Sequence, residues 1–193
     1  MAVQKILTIP NPLLRQKSKG VAKISAKGGP ASGWDKKLLN LVKDLKDTLA
    51  AQENPRGVGI SAPQIGKLYQ VCLVFSRKSK KFLTFINPEI IWNSKRMVKS
   101  VPESKNPYEG CLSVPGYWGQ VKRHKEVKVR YLTENGQAVI RKFSGFTSVV
   151  IQHEIDHLEG ILFIDKILKQ KGKLYKLEKD KEDKDLFVEV EFE

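Results

Sequence analysis

Cysteine is scarce in this sequence: only Cys72 and Cys111 occur among 193 residues, with no paired spacing. That excludes the disulfide framework on which small secreted proteins rely, and it points to a reducing cytoplasm. No run approaches the ~18 apolar residues of a membrane span. The stretch from Met1 to Leu7 also lacks the apolar core and cleavage site of a secretory leader, so no membrane partner is expected. Aromatic residues make up only 8% and are not interleaved with basic ones, which argues against sequence-specific binding of single-stranded nucleic acid. Acids are outnumbered by bases, 21 to 35, leaving a net charge of +14. A field of that sign attracts polyanions such as ribosomal RNA in a salt-dependent way, but it specifies no chemistry.

What is present supports one core. A hydrophobic content of 40% suits a single domain over 1–168, with a lysine-rich extension over 169–193 that ends in a strand-like alternation of Leu186, Val188, Val190 and Phe192. Leu38, Leu41, Val42, Leu45 and Leu49 recur at helical steps, so about 35–51 reads as an amphipathic helix covering a sheet. Asn54 to Gly59 reads as a loop. Tyr69–Phe75 and Phe82–Ile86 form a hairpin around the basic tip 77–81, and Asn135-Gly136 marks a second hairpin between Val127–Tyr131 and Ala138–Phe143. Residues 93–108 lack periodicity and read as a long surface loop. After Ser144 the pattern becomes that of a buried helix running through His157 and Leu158 to a glycine stop at Gly160. The sum is an α+β fold: antiparallel sheets and hairpins packed around a buried, metal-binding helix, with an N-terminal amphipathic helix.

The chain has three histidines, and two of them fall four apart on that helix. His153 and His157 therefore lie one turn above each other and can direct two imidazoles at one ion, with Glu154 beside them as a proton acceptor. This is the chemistry of metal-assisted hydrolysis. A third ligand is needed. Where a metzincin protease carries its third histidine this chain has Phe163, and Glu178 is the formal match to the downstream glutamate of thermolysin-like enzymes. Cys111 is the stronger candidate: it follows Glu109-Gly110 in a turn-rich setting, and a thiolate suits a borderline ion. Cys72, inside Val71–Val74, reads as a small buried apolar residue. On these residues alone three readings stay open: a hydrolase, a zincin-type metallopeptidase, and a non-catalytic basic module that docks on the ribosome around a structural metal.

Three separated stretches then converge. Gly57-Val58-Gly59-Ile60-Ser61-Ala62-Pro63-Gln64, Glu109-Gly110-Cys111-Leu112-Ser113 and Gln152-His153-Glu154-Ile155-Asp156-His157 resemble the signature motifs of peptide deformylases. The likeness runs from Ile6 to about Asp165. It implies a cytoplasmic enzyme of bacterial or organellar type that removes formate from the N-formylmethionine of nascent polypeptides. Cys111, His153 and His157 would hold ferrous iron, with zinc, nickel or cobalt as substitutes in purified protein. Glu154 would move the proton, while Gln64 and the Leu112 N–H would stabilise the oxyanion. Gly59, Val58, Glu109, Val149 and Val150 are expected to bind substrate, the valines lining the methionine pocket. Arg123 and Asp156 are a candidate ion pair orienting the helix, and His124 is expected at the surface. Ser61, where the family commonly has alanine, is expected to touch no catalytic position.

Overall fold

Leucines at three- and four-residue steps produce α1 (Lys36–Ala50), whose first turn is capped by the Asp35 carboxylate accepting the Leu38 N–H at 2.7 Å. In the computed structural model, which describes residues 3–22, 33–53, 57–76, 79–99, 108–179 and 185–190, eleven strands follow or flank two further helices. In chain order they are β1 (Gly59–Ser61), β2 (Val71–Ser76), β3 (Lys81–Asn93), β4 (Met97–Lys99), β5 (Glu109–Cys111) and β6 (Val114–Gly119). Then come β7 (Lys122–His124), β8 (Glu126–Leu132), β9 (Ala138–Ser144), α2 (Gly145–Leu158), α3 (Phe163–Lys169), β10 (Leu174–Lys179) and β11 (Asp185–Val190).

One antiparallel sheet has the order β1-β2-β3-β8-β9, a second β11-β10-β6-β5, and β4 pairs with β7 alone. Strand alternation sorts the first sheet's two faces. Ile60, Val71, Leu73 and Ile86 pack against α1, whereas Cys72, Val74, Phe85, Val127, Val129 and Phe143 pack against Phe146, Val150, Ile151 and Leu158 of α2. A third cluster joins Val114 of β6, Phe163 and Ile167 of α3 and Leu174 of β10, with Cys111 against its edge. The fold is thus α+β. No helix among the described residues is long and apolar enough to cross a membrane.

Two local expectations need correction. Gly59 belongs to β1, not to a loop. The first hairpin's return strand continues to Asn93, and β4 occupies part of the expected 93–108 loop, of which 100–107 lie outside the described residues. The turn-rich setting expected around Cys111 is present as a tight turn at Leu112–Ser113 that joins the paired strands β5 and β6. Short strands interrupted by glycine and proline carry no period of their own, and they form because distant partners supply the hydrogen bonds. Pro115 is tolerated in β6 because it falls in the register shift between the Cys111–Val114 and Gly110–Trp118 pairs with β5 and outside the Tyr117 to Gly119 pairing with β10, so it misses no ladder bond.

Candidate metal centre

α2 presents His153, Glu154 and His157 toward the edges of the two larger sheets, where β1 and β5 are the terminal strands. β5 contributes Cys111, and the short 3-10 turn Ala62–Ile65 after β1 contributes Gln64. The Cys111 Sγ lies 3.1 Å from His157 Nε2, which lies 3.2 Å from His153 Nε2, and all three ligand atoms fall within 4.8 Å of one another. Nitrogen ligands on one tetrahedral ion stand about 3.3 Å apart, so the set fits a divalent cation. The tautomer fits as well. His153 Nδ1 is 2.7 Å from Glu109 Oε1, which leaves Nε2 as the ligating atom.

Glu109 is where the structure departs most from expectation. Its motif position predicts a substrate-binding role, yet both carboxylate oxygens face inward, one accepting from Arg123 Nε at 2.7 Å, the other shared by Arg123 Nη2 at 2.5 Å and His153. Arg123 also donates to Asp156 at 2.8 Å and is only 4% exposed, so the candidate Arg123–Asp156 pair is buried on its arginine side and ties α2 to β7 and, through Glu109, to β5. Burial opposes charge on Glu109, but the Arg123 guanidinium overcomes it and holds the carboxyl far below its ordinary value. Burial likewise opposes charge on His153, and the Glu109 carboxylate reverses that, raising its pKa. At His157 burial, reinforced by His153, keeps the ring neutral, as a metal ligand must be.

Glu154 is 3% exposed, and burial lifts its carboxyl to about 7, with His153 and the Ser61 hydroxyl pulling the other way. A buried carboxyl near neutrality can both take and return a proton. Gln64 is anchored by its Oε1, which accepts the Ser61 N–H at 2.9 Å, so its Nε2 faces Ser113 Oγ at 3.1 Å and Cys111 Sγ at 3.6 Å. The Leu112 N–H has no partner among the described residues. Leu7 donates to the Gln64 carbonyl at 2.7 Å and Ile9 to that of Ser113 at 2.9 Å, so the N-terminal segment ties these two parts of the site together.

Val58 and Val150 share one apolar cluster beside the site. Val149 is buried one turn before His153 on α2. Gly59 sits so close to α2 that an added Cβ would lie 2.3 Å from Glu154 Oε1. His124 is half-buried, not a free surface residue: its N–H donates to Gln152 Oε1 at 3.0 Å and its Nδ1 lies 2.7 Å from the Ser94 carbonyl. Phe163 is buried in the third cluster and Glu178 is exposed on β10, so neither belongs to the ligand group. Ser113, buried against Gln64, and the contact of Ser61 with Glu154 were missed from sequence. The only signal for either was membership of a motif.

A family model described as polypeptide deformylase matches residues 3–173. A peptide deformylase of Pseudothermotoga lettingae is 41% identical over 165 residues, covering 86% of this chain and 83% of that protein. Another, from Phenylobacterium zucineum, is 38% identical over 185 residues, covering 93% and 97% respectively. Among solved structures, the peptide deformylase from Synechococcus elongatus in complex with actinonin matches with a TM-score of 0.71 at 29% identity, covering 86% of this chain and 79% of that one.

Proposed function

The chain belongs to the polypeptide deformylase family, a metal-dependent hydrolase that removes the N-formyl group from nascent polypeptides, and on that premise we propose how its residues divide the work. Cys111, His153 and His157 would hold one divalent ion, ferrous iron in the native enzyme, with zinc, nickel or cobalt able to replace it. When bound, the ion supplies Lewis acidity, which makes water nucleophilic near neutral pH. Glu154 accepts the proton of the attacking water as oxygen adds to the formyl carbon, and then passes it to the nitrogen as the C–N bond breaks. Formate and a free amino terminus leave. Gln64 Nε2 and the Leu112 N–H donate to the formyl oxygen as its charge develops.

Gly59 admits the substrate backbone, and Val58, Val149 and Val150 line the pocket for methionine. Glu109 serves through His153: its carboxylate selects the tautomer and aims the ring, a role different from contacting substrate. The observation that carries this reading is the convergence of one thiolate and two imidazoles on a point flanked by a buried carboxylate of raised pKa.

The enzyme works in the cytoplasm, of a bacterium or an organelle, and 1–168 is the catalytic unit. The Lys166 to Lys184 segment, with eight lysines against four acids, adds basic charge for lingering at the ribosome surface. Support comes from a cavity of about 260 Å³ lined by Lys99, Lys122, Lys171 and Lys173 with Gln120, Gln170 and Tyr175, in which Lys173 also pairs with Glu189 at 2.7 Å. The deciding experiment measures formate released from a formyl-Met peptide by anaerobically purified protein, together with its metal content. One equivalent of iron, loss of turnover on chelation and an inert, metal-free Cys111→Ala protein are expected. Full turnover by Cys111→Ala would overturn the ligand assignment.

A further inference from the structure

We propose that Ser61 is a positioning residue for the acid–base carboxylate, its hydroxyl making the two oxygens of Glu154 inequivalent; the inference rests on the role given to Glu154 above. Ser61 is completely buried on β1, and its Oγ donates to Glu154 Oε2 at 2.5 Å. The same Oγ lies 3.1 Å from the Glu154 main-chain oxygen, but one hydroxyl hydrogen serves the nearer, charged acceptor best. No group among the described residues donates to Oε1, which lies over the Cα of Gly59 where a side chain would collide with it. One oxygen is therefore held and the other left for proton exchange.

The same residue fixes a second part of the site. Its main-chain N–H holds Gln64 Oε1, so that Ser61 ties the proton carrier and the oxyanion donor to one point of β1. A backbone contact survives any side-chain change, whereas the hydroxyl contact does not. With alanine at this position Oε2 would be buried without a donor, and the carboxylate could turn about its last bond and exchange its oxygens. The fault would be one of orientation, falling on the chemical step and not on substrate binding.

The test compares the metal-loaded parent enzyme with Ser61→Ala, Ser61→Thr and Glu154→Gln on a formyl-Met peptide, with metal content and melting midpoint recorded for each. Ser61→Ala is expected to lower kcat about tenfold at unchanged KM and metal content, as loss of one charge-assisted hydrogen bond used in the chemical step would. Ser61→Thr, which keeps the hydroxyl, is expected to recover kcat to within about threefold of the parent. An unchanged kcat in Ser61→Ala overturns the proposal, and so does a loss that follows metal content or melting midpoint. A folded, metallated Ser61→Thr as slow as Ser61→Ala overturns it too. An active Glu154→Gln would instead remove the role of Glu154, while an inactive Glu154→Gln beside an undiminished Ser61→Ala removes only that of Ser61.

Discussion

A Cβ built on Gly59 would lie 2.3 Å from Glu154 Oε1 and 2.9 Å from Val150 Cγ1, closer than real side chains approach. The helix cannot retreat, because Arg123 ties it to Glu109 on β5, so the carboxylate would have to move. Gly59→Ala is expected to cost about a hundredfold in kcat, the scale of a 1 Å misplacement of a reacting group, with the metal retained. Formate release and metal analysis on one preparation would check both halves. Glu109 yields a different prediction. Its carboxyl is held below the ordinary 4.5, so the stability it contributes is complete above that value and is lost as pH falls toward the lower folded-state value. Metal-free Glu109→Gln should thus be less stable than the parent by about 3 kcal/mol near neutral pH, with the gap closing in strong acid. Denaturant melts of both proteins across the acid range would show it, and parallel curves would count against the pair.

At the scale of elements, α2 is apolar on most of its surface and so must be enclosed, and its end is set by Gly160 at φ +73. A side chain there would meet the Arg15 carbonyl oxygen at 2.5 Å as well as a left-handed backbone. Gly160→Ala should destabilise the fold by about 2 kcal/mol or more, seen as a lowered melting midpoint, while turnover per folded, metallated molecule stays near that of the parent. This stop, α1 and both hairpins were legible from periodicity and turn chemistry. The strands β5 to β7 were not. Three-residue segments such as Glu109–Cys111 and Lys122–His124 have too few side chains to show alternation, and their partners lie far along the chain. Gly110 is explained only by such a partner, since an added Cβ would meet the Trp118 ring at 2.6 Å.

Across the whole molecule the excess charge is +14, and four lysines share one cavity between β7, α3 and β10. If that face meets ribosomal RNA, the paired reversal Lys122→Glu and Lys171→Glu should weaken ribosome co-sedimentation at low salt about tenfold and flatten its salt dependence. Turnover of a short formyl-Met peptide should be unchanged, because neither lysine touches the metal centre; co-sedimentation equal to the parent's would refute the docking face. The described end of the chain is not a loose appendage: β10 pairs with β6, and β11 with β10, extending the sheet whose edge carries Cys111.

The sequence by itself determined the ligand types, the shared face of His153 and His157 and the carboxylate between them, because helical period and side-chain chemistry are local properties. It also carried the motifs through which the family was legible. Only the tertiary structure decided that Glu109 turns to His153, 44 residues away, and that the Ser61 hydroxyl reaches Glu154 across 93 residues. No local pattern encodes such contacts. They arise when packing on two sides of one helix brings separate sheet edges together, and burial then leaves each polar group only the partner that packing has placed beside it.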